Sequence, residues 1–331
     1  MSLKDLRREA AHFRSHCWAR ATRTAYATHR RSYLKFCHTH GLIPVPACTD
    51  TLQCYAAHLA RRLKPSSIRQ YLNIVRILHL EWGLPNPLDH NYHLNATLRG
   101  IRRVKGDSVT RKAPVTPRML FAYLHHLDLS HPLHITMWAA ALTMFFGILR
   151  KSNVLPLHPT SFDPTLHLRR QDLTVTPQGI TIHIRWSKTN QFRSRTHSIP
   201  LPRITDHPLC PSQAVYLAMQ RTQQAPPEGP AFVYRSNGHW VPLTSTRFLE
   251  HFKRTLSSTM DVSNLGGHSF RRGGATWAYQ AGVPVDVIRQ LGDWTSNAYT
   301  IYTLPNSHML KSATEAMAKA LPSPTRPVNI H

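Results

Sequence analysis

Apolar residues recur at helical spacing through most of the 331 residues of this chain, and one stretch breaks the rule: DLTVTPQGITIHIRWSKTNQFRSRTHSIPL, residues 172–201, alternates in short runs. That switch constrains the fold more than any other feature. LTVT and ITIHIRW read as the two arms of a hairpin around TPQG, and THSIPL reads as a third strand. The rest must build helices around it, so the expected class is mainly α with a small antiparallel β-sheet.

The helices divide into two sets. From Leu6 to about Gly100 they are short. TRTAYATHRRSYLKFCHTHG places Ala21, Ala25, Tyr26, Tyr33, Leu34 and Phe36 at helical intervals and ends at Gly41. DTLQCYAAHLARRL follows, with Asp50 as the expected N-cap. SSIRQYLNIVRILHLEWG starts at Ser66 after Pro65, carries Ile68, Leu72, Val75 and Leu78 on one stripe, and ends near Gly83. NATLRGIRRVKG then runs into the polar, basic joint RRVKGDSVTRKAPVTP, which contains Gly106 and Pro114 and separates two differently written halves. The expected domains are 1–106, helical, and 107–318, α+β, followed by a flexible Pro-rich tail over 319–331.

Beyond the joint, Thr116 caps a helix with Pro117 in its first turn. PLHITMWAAALTMFFGILRKSNVLPL reads as a long apolar helix, too interrupted to span a membrane, with Arg150 and Lys151 at its charged end. After Pro211 helices return in SQAVYLAMQRT, TSTRFLEHFKRTL, HSFRRGGATWAYQAG and PVDVIRQLG.

Lys and Arg number 41 against 16 acids, a formal net charge of +25, far beyond what solubility requires. Such an excess implies a polyanionic partner, nucleic acid first, because neutralising phosphates releases counterions. An anionic membrane surface is the second candidate, disfavoured because no run of 18 apolar residues and no basic amphipathic helix stands out. The N-terminus lacks an apolar signal-peptide core, and an intracellular, soluble protein is expected. The five cysteines, at 17, 37, 48, 54 and 210, form no CxxC pair, and the 23 histidines are scattered, so neither disulfides, a metal nor any other cofactor is expected. In the helical N-terminal block Arg20, Arg23, Arg30, Arg31, Arg61, Arg62 and Arg69, with Arg102 and Arg103 at its end, have few acids among them. Each alone reads as a solvated face; together they read as a surface for double-stranded DNA.

Four stretches of the second half put cations or donors near element ends: GILRKSN with Arg150, RWSKTNQ with Lys188, GGHSFRRGGAT with His268 and Arg271, and GDWTSNAYTIYT with Trp294, Tyr299 and Tyr302. In HSFR the spacing sets His268 and Arg271 one turn apart on one helix face, where a phosphate would meet both. Arginine suits that task because its planar guanidinium donates bidentately and stays charged. Taken singly, Arg150 reads as a cap on its helix's carbonyls, and both tyrosines read as packing aromatics.

The ordered set Arg150, Lys188, His268-x-x-Arg271, Trp294 and a tyrosine resembles the tyrosine recombinases, the phage-integrase-type DNA recombinases. LRKSN and GDWTSNAY look most like the versions carried by eukaryotic mobile elements of the Crypton and DIRS type. HxxR alone is a weak motif; the whole set in this order is specific. TRTAYATHRRSYLKFC and SSIRQYLNIVRILHLEWG also look like that family's helical core-binding domain, so the resemblance spans nearly the whole chain.

It implies a clamp around duplex DNA, a 3′-phosphotyrosyl intermediate, no metal or ATP, and a homotetramer on paired DNA sites. For a eukaryotic element it also implies the nucleus. Arg150 and Arg271 would hold the non-bridging oxygens, Lys188 would protonate the leaving 5′-oxygen, His268 would assist proton removal from the tyrosine, and Trp294 would donate to the phosphate. The family's common gap of nine from the His/Trp position to the nucleophile lands on Thr303; the mobile-element gap of eight selects Tyr302, with Tyr299 as the alternative. Where many members carry an acid, this chain has Asn153, which should alter the tuning of His268. A DNA-binding relative that does no strand exchange, and a type IB topoisomerase, are the rival readings.

Overall fold

The computed structural model describes residues 1–106, 111–303, 311, 314 and 315, with the side chain of Arg20 outside the description. Two compact units divide at Thr110 and Arg111. The expected tail over 319–331, and part of the joint, fall outside the described residues.

The first unit is helical: α1 (Leu3–Ser15), α2 (Arg20–Thr39), α3 (Thr49–Ala60), α4 (Pro65–Glu81) and α5 (Tyr92–Lys105). Its core is the inward stripe of α4, with Ile68, Leu72, Val75 and Leu78 all buried, against Tyr33 and Phe36 of α2, Leu52 and Tyr55 of α3, and Leu94 and Leu98 of α5. Each such aliphatic side chain contributes about 1.5–3 kcal/mol on burial. Leu34, though helically spaced, lies outside that stripe and is exposed. Pro65 opens α4, where its missing N–H costs nothing. Asp50 is not the cap of α3: that role falls to Cys48, whose Sγ accepts from the Thr51 amide, while Asp50 sits in the first turn, where its charge complements the helix dipole. Buried His79 ties the loop before α3 to α4, its Nε2 accepting from the Ala47 amide at 2.9 Å and its Nδ1 lying 2.8 Å from the Val75 carbonyl. α1 buries nothing.

The second unit is built around α7 (Pro132–Phe146), in which every residue from Leu133 to Phe145 except His134 is buried; a helix apolar on all sides belongs at the centre of a domain. Around it lie α6 (Pro117–His125), capped by Thr116 as its sequence predicts, the one-turn α8 (Lys151–Val154), α9 (Pro211–Arg221), α10 (Ser245–Leu256), α11 (Ser269–Gln280) and α12 (Val285–Leu291). Strands β1 (Leu173–Thr176), β2 (Gly179–Ile184) and β3 (His197–Pro202) form the antiparallel sheet in the order β1-β2-β3. Ile180, Ile182, Ile184, Ile199 and Leu201 turn to the core, giving the one-sided alternation that betrays the strands in the sequence. Gly179 closes the first turn at φ 148°, and a Cβ there would lie 2.1 Å from the Leu201 carbonyl oxygen, so no other residue fits.

A second hairpin, β4 (Val233–Ser236) with β5 (His239–Pro242), is an element that the periodicity of the chain does not announce. Its signal is the dipeptide Asn237-Gly238, both at positive φ, the chemistry of a type I′ turn. Among the described residues no helix is long and apolar enough to cross a membrane, all five cysteines are unpaired, and no group of three or more His, Cys, Asp or Glu is arranged to hold a metal.

Candidate active site

Arg271 is the fixed point of the site. It lies in the first turn of α11, is 4 % exposed, and donates from Nη1 to the Ile148 carbonyl at 2.8 Å and from Nη2 to the Gly292 carbonyl. Its guanidinium carbon sits 3.8 Å from the centroid of the Trp294 ring, a cation–π contact in a desolvated place. Burial, with Arg150 close by, pushes its pKa down to about 9, still charged at neutral pH.

What lets a helix carry an arginine so deep is the glycine pair that follows it. A Cβ on Gly273 would lie 2.0 Å from the Val115 carbonyl oxygen, and one on Gly274 would lie 1.9 Å from that of Phe145. α11 therefore rests backbone to backbone on α7 and on the segment before α6. RRGGAT carries this signal in the sequence, beside the HxxR motif that draws attention first.

Ile148 turns the chain at the other side. Its φ is 50°, a left-handed conformation that β-branched residues rarely adopt, and it is buried. The chain thereby ends α7 at Phe146, aims the Ile148 carbonyl at Arg271, and enters α8 through Arg150. Arg150 is thus the residue before α8 rather than the cap of the long apolar helix. It is half-buried; its carbonyl accepts from the Asn153 amide at 2.9 Å, while its side chain makes no hydrogen bond among the described residues. Burial lowers its pKa, opposed by Asp293 and by Tyr302. Asp293 and Tyr302 oppose the lowering of Arg271 in the same way.

Trp294, Tyr299 and Tyr302 pack as one aromatic group with Ile148, Ala275 and Ile288. The Trp294 ring is 5.6 Å from that of Tyr302 and 6.3 Å from that of Tyr299. Gly292 makes room for it: a Cβ there would lie 1.7 Å from the indole. Thr276 Oγ1 donates to the Tyr302 carbonyl at 3.2 Å, and Arg289 Nε to the Trp294 carbonyl at 3.1 Å, so α11 and α12 hold the segment.

His268 stands at the N-terminus of α11, one turn from Arg271. Burial lowers its pKa, and Arg271, Arg150, Lys151 and Lys188 lower it further, in that order. The imidazole is therefore held neutral, the form that can accept a proton. Lys151, read in the sequence only as part of a helix's charged end, lies close enough to act on His268.

Lys188 is exposed, in the turn between β2 and β3. The turn itself is bound on every side. Arg185 donates twice to buried Asp172, at 3.0 and 2.9 Å. Asn153 Nδ2 donates to the Trp186 carbonyl at 2.8 Å. Asn190 Nδ2 donates to the carbonyls of Arg185 and Arg195, at 3.2 and 2.6 Å. The Asn153 amide thus acts on the backbone before Lys188, and the causes of the His268 shift are burial and the neighbouring cations, with no acid among them. A carboxylate could not donate to that carbonyl, which is the physical reason for an amide here.

The arginines of the first unit lie on exposed faces. Arg31 and half-buried Arg30 share a shallow groove of α2 with Lys35 and His38, and Arg30 also pairs with Glu81 at 2.6 Å. Arg69 lies with Arg99, His90 and Tyr92 at another hollow. Arg23, Arg61, Arg62, Arg102 and Arg103 are exposed, and Arg20 opens α2.

The chain is similar to known proteins. The chain is 25 % identical over 285 residues, 81 % of its own length and 77 % of the relative's, to the integrase/recombinase xerD homolog of Selenomonas ruminantium. Among solved structures it resembles the Tn1549 transposon integrase in complex with transposon right-end DNA, with TM-score 0.62, 14 % identity, and 94 % and 97 % of the two chains covered. It also resembles a lambda integrase dimer bound to a core site, with TM-score 0.58, 15 % identity, and 93 % and 97 % covered. At these identities the structural likeness establishes the fold. The profile of the phage integrase family matches residues 124–308, more than half of the chain and every residue of the site, and the chain therefore belongs to the phage integrase family, the tyrosine-type DNA recombinases.

Proposed function

We propose that the protein breaks and rejoins DNA strands at specific sites through Tyr302, and that it serves the integration and excision of a mobile element. The observation that carries this reading is the half-buried Arg150, whose side chain makes no hydrogen bond among the described residues, close to Arg271, which stacks on the Trp294 ring that Tyr302 packs against. A half-buried guanidinium without a hydrogen-bond acceptor is suited to meet an anion, and a backbone phosphate supplies one.

In this reading the phosphate's non-bridging oxygens sit between Arg150 and Arg271. Tyr302 Oη attacks phosphorus as its proton passes to neutral His268, the P–O5′ bond breaks, and Lys188 gives a proton to the departing 5′-oxygen. One phosphodiester becomes another, so no water or ATP is consumed, and a 5′-hydroxyl from a partner strand reverses the step. The charge that grows on phosphorus meets donors already in place, and such preorganised stabilisation usually supplies most of the rate enhancement. Tyr299 is left the packing role against Trp294. The N-terminal arginines bind backbone phosphates of duplex DNA, and four copies act on paired sites. The likeness to a transposon integrase supports a mobile-element role. LRKSN and GDWTSNAY alone carry the narrower reading, a eukaryotic element of the Crypton or DIRS type working in the nucleus.

The test uses the full chain and a nicked duplex chosen by the protein from a randomised DNA pool, run on denaturing gels. A covalent protein–DNA adduct is expected from the unaltered protein and from Tyr299→Phe, and none from Tyr302→Phe. An adduct that survives Tyr302→Phe but not Tyr299→Phe moves the nucleophile. No adduct from the unaltered protein on a tightly bound site favours a relative that binds DNA without exchanging strands.

A further inference from the structure

We infer that Asp293 is the positioning residue for Lys188, acting by latching the β2–β3 turn to the loop that carries Trp294. The inference rests on the reading of Lys188 as the proton donor to the leaving oxygen.

Asp293 is one residue from Trp294, adopts a left-handed φ of 52°, and is 9 % exposed. A bland account is available for the conformation, since Asp tolerates positive φ better than most residues. It does not account for the side chain. Oδ2 accepts from Ser187 Oγ at 2.5 Å and from Thr189 Oγ1, and Oδ1 accepts from Arg195 Nη2. Thr189 Oγ1 also lies 3.0 Å from the Asp293 carbonyl oxygen. Ser187 and Thr189 are the two residues that flank Lys188, so one carboxylate grips the turn immediately before and after the lysine. Ser187 Oγ passes the grip on, accepting from the amides of Thr189 and Asn190 at 3.2 and 3.1 Å.

The charge also matters. Asp293 stands among Arg150, Arg271, Arg195 and His197, and it raises the pKa of both site arginines. Burial pushes its own pKa up, but Ser187, Thr189, Arg195 and His197 outweigh that and hold it below the usual carboxylate value. It is ionised at neutral pH and accepts from all its donors at once. Lys188, by contrast, is exposed on a flexible stem, and an exposed lysine protonates one particular oxygen efficiently only if its backbone is fixed. Asp293 fixes it from the same loop that presents Trp294 to Arg271, and so couples the acid's position to the phosphate site.

The experiment isolates the proton-donating step. Nicked duplexes carry at the scissile phosphate either the ordinary bridging 5′-oxygen or a bridging 5′-sulfur, which departs as thiolate and needs no proton because thiols are acidic, with a pKa of about 8.5. On the oxygen substrate Asp293→Ala is expected to slow cleavage about 10-fold to 100-fold, the scale of a misplaced catalytic group. On the sulfur substrate it should fall within about 3-fold of the unaltered protein, and Lys188→Ala should show the same rescue from a deeper loss, on the scale of a general acid. Asp293→Asn, which keeps an acceptor for Ser187 and Thr189, should lie between. If Lys188→Ala is rescued by sulfur and Asp293→Ala is not, the positioning inference fails and the reading of the site stands. If Lys188→Ala is not rescued, the reading of Lys188 as the acid fails, and the inference falls with it.

A second measurement needs no cleavage. In Asp293→Ala the amides of Thr189 and Asn190 should exchange with solvent at least about 10-fold faster while α7 keeps its protection. Unchanged exchange at those two amides would show that Asp293 does not hold the turn.

Discussion

The two sides of the site are built on opposite plans. On one, Arg271 and Trp294 belong to a packed wall: α11 lies against α7 with no room for a methyl group at Gly273 or Gly274, and the guanidinium is stacked and bonded to two carbonyls. On the other, exposed Lys188 rides on a turn held by hydrogen bonds that Asn153 and Asn190 donate and that Asp293 accepts. The difference fits the tasks proposed for the two groups. A group that must be in place before charge develops gains from rigid packing, whereas a group that gives up a proton needs access to the leaving atom and a stem that can move.

The wall offers the most direct challenge to this contrast. Arg271→Lys leaves a charge but removes the planar fork and orphans the Ile148 and Gly292 carbonyls, so adduct formation should fall on the order of 10² or more, read from single-turnover gels. A loss of only a few-fold would mean that the wall positions Trp294 rather than the phosphate.

Gly274→Ala tests the packing itself. Its Cβ has nowhere to go, so α11 must shift off α7, and denaturant unfolding should show a loss of about 1–3 kcal/mol together with slower cleavage. If stability falls and the rate holds, the depth of α11 serves the fold and not the site.

A subtler effect reports on how the two sides meet. His268 is lowered by cations from both, Arg271 and Arg150 from the wall before Lys188 from the turn. In the free protein its imidazole resonances should therefore titrate below the ordinary value of about 6.5. Because the unfolded chain then takes up the proton first, stability is lost as pH falls from about 6.5 towards the folded value. Arg150→Met should move the titration up by more than Lys188→Ala does; the reverse order would place Lys188 nearer than the wall.

Much of this was legible in the residues. The alternation over 172–201 announced the three-stranded sheet, the stripe of α4 announced the first core, and Pro117 after Thr116 announced a helix start, because each follows from local spacing and capping alone. Asn237-Gly238 is equally local, but it stands between two strands too short to show a period of two. Cys48 displaced Asp50 as a cap because a register of two residues depends on where the preceding loop enters, which His79 sets from α4. Asn153 could be read only as a departure from an acid; that its partner is a backbone carbonyl depends on a turn more than 30 residues downstream in the chain.

The helical periods, the one-sided sheet, the basic excess and the order of the candidate residues were all set by the sequence alone, since these are properties of composition and of near neighbours. It took the tertiary fold to decide that Arg150, whose side chain makes no hydrogen bond among the described residues, stands close to Arg271, and that a single acid, Asp293, grips the turn on both sides of Lys188. Those are distances between residues about 100 or more positions apart, or between side chains on a strained loop, and no local periodicity encodes them.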